Sequence, residues 1–257
     1  MPRFSTNLSF MFDNVPFLDR FEAAAKAGFK AVEFLSPLDH GIEDIRARLK
    51  GNGLELDLFN AAIGDYANGE RGIAGIPGRE KECQAAIQKC VTYAEALGCR
   101  KLHVMAGYKS SGADRETFIA NLRHAARTAG GIDLMLEPIN TRDMPTYLLN
   151  HCRDARAIIE EIGTNNIKLQ FDVYHRQIVE GDIAGGIKEF ADITAHYQIA
   201  NPPDRGEPDS GELNYASIFE MIDATGYKGW VGCEYKPRAG TVPGLAWTKR
   251  LGVALGS

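Results

Sequence analysis

The sequence predicts a closed (β/α)8 barrel, an α/β architecture. Short apolar or β-branched runs alternate with stretches of helical spacing, eight such pairs follow one another along 257 residues, and no GxGxxG or GxxxxGKS follows the first strand-like run. Strict alternation implies parallel strands with helices outside, because parallel neighbours need a crossover. Eight units in about 250 residues is the size of a closed barrel. The alternative, a doubly wound open sheet, lacks its phosphate-binding anchor here.

The strand-like runs are 4–8, 31–35, 54–60, 101–107, 133–140, 167–175, 193–200 and 230–237. Each is short enough for a buried strand. Helical candidates lie between them at 17–27, 42–52, 79–97, 115–129, 154–162, 183–191 and 215–225, with a C-terminal helical segment after Val242. Gly28, Gly53, Gly98, Gly163 and Gly226 each fall just past a helical stretch, where a left-handed residue ends the helix. No Ser/Gly linker, charge run or composition shift marks a boundary, so 1–257 reads as a single barrel domain.

Composition narrows the function. With 34 Asp+Glu against 29 Lys+Arg the formal charge is −5, and no basic block supplies the footprint that phosphate-backbone binding needs. A nucleic-acid partner is therefore not expected. Cys83, Cys90, Cys99, Cys152 and Cys233 are odd in number, scattered and free of any CxxC pair, which argues against a disulfide scaffold or structural zinc. A reducing, cytoplasmic location is expected. The N-terminal MPRFSTNLSFMFDNVPF has no basic start followed by an apolar run, and no stretch reaches the roughly 20 apolar residues of a membrane helix. The aromatic residues of FMFDNVPF are expected to be exposed, covering either a second copy in a homo-oligomer or the barrel's own mouth.

In a barrel the chemistry sits at the C-terminal ends of the strands. LMLEPIN places Glu137 there, KLQFDVYH places Asp172 and His175, AHYQIAN places His196, Gln198 and Asn201, and WVGCEYKP places Glu234 and Lys236. A buried unpaired carboxylate costs several kcal/mol, so carboxylates converging on one mouth repel unless a cation sits among them. Glu137, Asp172 and Glu234, with Gln198 as a neutral oxygen donor, form an all-oxygen set suited to Mg²⁺ or Mn²⁺. His175, at the rim, is expected to hydrogen-bond substrate or metal-bound water. His103 and His196, inside strands, read as satisfied core histidines. The Gly-rich connection 60–79 has the length of a lid and carries Arg71 and Arg79, which could approach an anionic substrate. Arg205, in NPPDRGEPDSGELNY, lies within reach of the mouth.

These same segments carry a resemblance. EPIN at 137–140, QFDVYH at 170–175, QIANPPDRGEPDSGELNY at 198–215 and GWVGCEYKP at 229–237, with RFSTNLSFMF and GERGIAGIPGRE, resemble the hydroxypyruvate isomerase family. The wider group is the xylose-isomerase-like barrels. The resemblance implies that Glu137 and Glu234 are paired catalytic glutamates, that both contact a divalent metal with Asp172 and Gln198, and that His175 and Arg205 contact substrate oxygens. The related epimerases commonly have His at the Gln198 position, and a carboxamide there favours a harder metal. Lys236, on the same face as Glu234, is expected to receive a substrate carboxylate, as is Arg205.

The implied reaction is an aldose–ketose shift through an enediolate, converting hydroxypyruvate to tartronate semialdehyde. A 2-oxo-tetronate isomerase branch performs the same shift on four carbons, and HVMAG and PPDR resemble that branch whereas EPIN and DVYH resemble the hydroxypyruvate branch. A ketose epimerase, a non-catalytic sugar-acid binding barrel and an apurinic endonuclease are further alternatives. The endonuclease needs more histidine ligands than six His scattered through an acidic chain provide.

Overall fold

The computed structural model describes residues 1–256. The elements run β1 (Arg3–Asn7), α1 (Phe17–Ala27), β2 (Ala31–Phe34), α2 (Ile42–Asn52), β3 (Glu55–Ala61), α3 (Glu80–Leu97), β4 (Lys101–Val104), α4 (Arg115–Thr128), β5 (Asp133–Leu136), α5 (Cys152–Ile162), β6 (Ile167–Asp172), α6 (Val173–Val179), α7 (Ile183–Glu189), β7 (Thr194–Ile199), α8 (Tyr215–Ala224), β8 (Trp230–Cys233), α9 (Thr241–Gly244) and α10 (Trp247–Arg250). The strands close in the order β1 to β8, all parallel, and β1 seals against β8 through Arg3 opposite Trp230 and Thr6 opposite Cys233. Gly28, Gly53, Gly98 and Gly163 end their helices in the left-handed conformation. Among the described residues no helix is long and apolar enough to cross a membrane.

Two expectations change. The run 167–175 is not one strand: Asp172 ends β6, and its side chain caps α6 by accepting from the backbone N–H of Tyr174 and His175. The aromatic stretch after β1 is not exposed. Met11 and Phe12 are buried, and the Phe10 ring lies 4.8 Å from the Arg205 guanidinium carbon, so the segment folds over the barrel's own mouth.

The apolar core lies between strands and helices. Phe4 on β1 packs edge-on against Phe219 of α8 at 5.1 Å and against Trp247 of α10 at 5.4 Å. Residues alternate along a strand, so Ser5 and Asn7 point the other way, into the barrel. There they meet Glu33, and Glu33 from β2 reaches His196 of β7 across the lumen at 2.9 Å. The lumen is therefore polar, where barrels of this type are usually filled by branched apolar side chains. Register shifts next to Glu33 in β2 and Gln170 in β6 fall where the strands aim these polar groups inward.

Candidate active site

Glu137 follows the end of β5 and is buried, as are Asp172 and His175. Oδ1 of Asp172 is used by the α6 cap, accepting from the backbone N–H of Tyr174 at 2.7 Å and of His175 at 3.3 Å, which leaves Oδ2 facing the mouth without a hydrogen-bond partner. Oε1 of Glu137 is likewise without one. Nε2 of His175 stands 3.7 Å from each of these two oxygens. His175 is thus not at an open rim but on the first turn of α6, because the capping aspartate starts a helix three residues earlier.

The ring orientation of His175 follows from Asn140. Oδ1 of Asn140 accepts from the backbone N–H of Asp143 at 2.8 Å, so its Nδ2 faces Nδ1 of His175 at 2.7 Å; the Asn140 backbone N–H donates to the same atom at 3.3 Å. With two donors on Nδ1, a neutral imidazole carries its hydrogen on Nε2 and offers it to the mouth. Burial, reinforced by Arg205, pushes the His175 pKa well down and keeps the ring neutral.

Arg205 supplies the positive charge. Its backbone is left-handed, with φ +55°, in the loop between β7 and α8. Its guanidinium lies 5.0 Å from the Tyr174 ring, and Nη2 donates to Oε2 of Glu234 at 2.7 Å and lies 3.8 Å from Oδ2 of Asp172. Oε1 of Glu234 accepts from Nδ2 of Asn7 at 3.1 Å. Burial pushes Glu234 up to about 8 despite Arg205. Burial, then the charges of Glu234 and Asp172, raise Glu137 well above the carboxylate range, and burial also raises Asp172 against the pull of Arg205.

Comparison with known proteins fits this geometry. The family described as the xylose isomerase-like TIM barrel matches residues 21–251. The chain belongs to that family. A 2-oxo-tetronate isomerase of Cupriavidus necator is 52% identical, over 97% of this chain and 98% of its own. A hydroxypyruvate isomerase of Escherichia coli is 45% identical, over 96% and 98%. Among solved structures, a Brucella melitensis protein titled AP endonuclease, family 2, superposes with a TM-score of 0.94 at 48% identity, covering 97% of this chain and 99% of its own. A D-psicose 3-epimerase from Clostridium cellulolyticum, at 21% identity and a TM-score of 0.76, shares the fold.

In this xylose isomerase-like barrel the expected site residues separate into two groups. Glu137, Asp172, His175, Glu234 and Arg205 come together. Gln198, level with Asp172 in the sheet, does not join their contacts: its Nε2 donates to Oε1 of Glu33 at 2.7 Å and its Oε1 accepts from Gln170 at 2.6 Å, so its amide is spent on those two groups. Its charged partner sits on β2 and is invisible to a reading of β7 alone. Lys236 is exposed and touches the site through its backbone, whose N–H donates to the Arg205 carbonyl at 2.7 Å. The chain turns away after Cys233, and Arg205 takes the place beside Glu234 that Lys236 was expected to hold. Arg71 stacks on the Tyr66 ring at 3.6 Å and bonds the carbonyls of Tyr66 and Glu70, while Arg79 pairs with Glu70 and Glu82. Both arginines brace the 60–79 connection itself. Its return leg is tied to the end of β4, with Gly75 N–H on the Ala106 carbonyl at 2.8 Å. Gly72 passes so close that a Cβ there would meet the Met105 carbonyl oxygen at 2.5 Å.

Three residues were not recognisable as site residues. His103 is no ordinary core histidine: its Nδ1 lies 3.2 Å from Oε2 of Glu137, and burial pulls its pKa down to about 3. Asn7 and Glu33 back Glu234. Glu137 and Asp172 lie in a buried group with His175, and their carboxylates are close enough to hold a metal ion. The fit rests on the two carboxylate oxygens without partners, Glu137 Oε1 and Asp172 Oδ2. Bare buried carboxylate oxygens cost several kcal/mol, and a divalent cation offsets that cost.

Proposed function

We propose that this chain is an aldose–ketose isomerase of small hydroxy-keto acids, converting hydroxypyruvate to tartronate semialdehyde. The convergence of Glu137, Asp172 and Glu234 on one buried mouth, with two oxygens unpartnered, carries the reading. Full-length relatives named as isomerases of such acids support it. The oxygen-rich donor set of Glu137, Asp172 and Glu234 suits Mg²⁺ or Mn²⁺ better than zinc, because His175 presents N–H rather than a lone pair. When bound, such a cation supplies Lewis-acid stabilisation of the negative charge that develops on the substrate oxygens.

The protein's own groups account for the proton movements. The C3 hydrogen of hydroxypyruvate is acidic because it neighbours a ketone. A glutamate takes it, a glutamate returns a proton to C2, and the hydroxyl proton passes from O3 to O2, so the product is an isomer and no oxidant is consumed. Raised carboxyl pKa values suit groups that both accept and donate near neutral pH. Nε2–H of His175 is placed to donate to a substrate oxygen, and Arg205 offsets substrate charge. A small acidic metabolite, rather than nucleic acid, also fits a chain of charge −5 in which no candidate metal group among the described residues holds more than one histidine.

The 52% identity to a 2-oxo-tetronate isomerase favours a second reading, the same shift on a four-carbon acid. One carbon of pocket depth is worth about 1–3 kcal/mol, so a pocket can turn over both with a preference. The test is turnover of hydroxypyruvate and 2-oxo-tetronate at matched concentrations, with divalent metal removed by chelation and then restored. Metal-dependent conversion of at least one is expected. Conversion of neither, with metal present, overturns the proposal.

A further inference from the structure

Beneath the mouth a chain of buried polar groups crosses the lumen from Glu234 to the opposite end of the barrel. Asn7 heads it. Its Oδ1 accepts the Ser9 backbone N–H at 3.0 Å, which fixes which end of the amide is nitrogen. Nδ2 then spends its two hydrogens on two carboxylates, Oε1 of Glu234 at 3.1 Å and Oε1 of Glu33 at 3.2 Å.

Glu33 is itself immobilised. Oε1 also accepts from Nε2 of Gln198 at 2.7 Å, and Oε2 lies 2.9 Å from Nε2 of His196. On its other side His196 places Nδ1 3.2 Å from Oδ2 of Asp57, and Oδ1 of Asp57 accepts from Nζ of Lys101 at 2.7 Å. Gly232 on β8 makes room for the anchor: a Cβ there would lie 2.4 Å from Oε2 of Glu33. Glu33, Asp57 and His196 have the composition of a metal group, but His196 separates the two carboxylates with one ring nitrogen turned to each, hydrogen-bonded to Glu33 and 3.2 Å from Asp57, so a string of polar contacts describes them better.

We propose that Asn7, anchored on Glu33, is a positioning residue for Glu234. Arg205 holds one oxygen of that carboxylate and Asn7 the other, so its plane is fixed, whereas Glu137 faces the imidazoles of His103 and His175 at 3.2 and 3.7 Å and has one oxygen without a hydrogen-bond partner. A base that must meet one carbon and then its neighbour loses rate steeply when its plane is free to turn. This inference rests on the isomerase reading above.

The test uses the metal-loaded enzyme and hydroxypyruvate carrying either hydrogen or deuterium at C3, or the four-carbon acid if that is the better substrate. Asn7→Ala is expected to lower kcat about 100-fold with KM within about threefold of the parent. Its primary isotope effect should rise, because proton transfer alone becomes limiting. A loss of folded enzyme lowers kcat with the isotope effect unchanged, and that pattern overturns the proposal, as does a kcat within about twofold of the parent in a variant of normal melting temperature. Asn7→Leu keeps the volume and removes both donors without adding a charge beside Glu33 and Glu234, so it decides the matter if Asn7→Ala does not fold: the same loss of kcat with a raised isotope effect supports the proposal, and a kcat within about twofold of the parent overturns it. Glu234→Gln run alongside separates the two claims. If it is inactive while Asn7→Ala is fully active, only the positioning role fails; if it is fully active, the isomerase reading fails and the positioning role with it.

Discussion

Asn140 shows how much of this site depends on side chains that carry no chemistry themselves. It sits in the EPIN segment, fixes His175 from both backbone and side chain, and so decides that Nε2 bears the hydrogen. Asn140→Ala should lower activity about 10- to 100-fold, the usual cost of removing a partner that orients a site residue. Nitrogen NMR of His175 should show the Nε2–H form in the parent and lose it as the sole form in the variant. At this scale Glu137, Asp172 and Glu234 were legible as a group because carboxylates at the ends of successive strands converge on one mouth, where they repel unless a cation or a partner offsets them. Gln198, His103, Asn7 and Glu33 were not, because their partners lie across the lumen on other strands. A polar residue inside a strand reads as satisfied until its neighbour is known.

Among the elements, α6 carries the most information. The run QFDVYHRQIV is rich in β-branched and aromatic residues, so it reads as strand continuing to His175, yet Asp172 satisfies the first free N–H groups of a helix and turns the chain. One carboxylate does two jobs, capping with Oδ1 and facing the mouth with Oδ2. The substitutions separate them. Asp172→Asn keeps a good cap and should leave the melting temperature nearly unchanged while weakening Mn²⁺ binding by titration calorimetry. Asp172→Ala should in addition lose about 1 kcal/mol of stability from the cap. Equal metal affinity in parent and Asp172→Asn would remove Asp172 from the metal group. The connection 60–79 was legible as irregular but not as braced: Arg71 and Arg79 point back into it, and its Gly72 and Gly75 pair with the segment just after β4.

The whole molecule is a barrel whose apolar core lies outside the strands and whose lumen holds acids, amides and imidazoles, and its stability should depend on pH accordingly. Glu234 is raised from 4.5 to about 8 in the folded chain, so the folded state keeps a proton that the unfolded state loses, and stability drains away as pH rises from about 4.5 to 8. His103, lowered to about 3, works in the other direction: the unfolded chain gains a proton below pH 6.5 that the folded chain refuses, so stability falls as pH drops from there. Without metal, the melting temperature should therefore decline between about pH 7 and 8, where the histidines are largely neutral in both states and the raised groups dominate. Divalent metal should reverse that decline, since it favours ionised carboxylates, and at 100 times its dissociation constant it adds about 2.7 kcal/mol. A metal-free melting temperature that rises over this interval would contradict the assignment. The eightfold alternation and the absence of a phosphate-binding glycine motif made the barrel readable from sequence; the polar lumen was not, because it is assembled from single residues on different strands. The central claim is that Glu137 and Glu234 move protons on a bound hydroxy-keto acid. The direct measurement is proton NMR of hydroxypyruvate, and of the four-carbon acid, incubated with enzyme and Mg²⁺ in heavy water. The parent should place deuterium on the carbon next to the carbonyl, and Glu137→Gln and Glu234→Gln, both folded, should lose that exchange. Exchange at the parental rate in either variant, or none in the parent, would contradict the account.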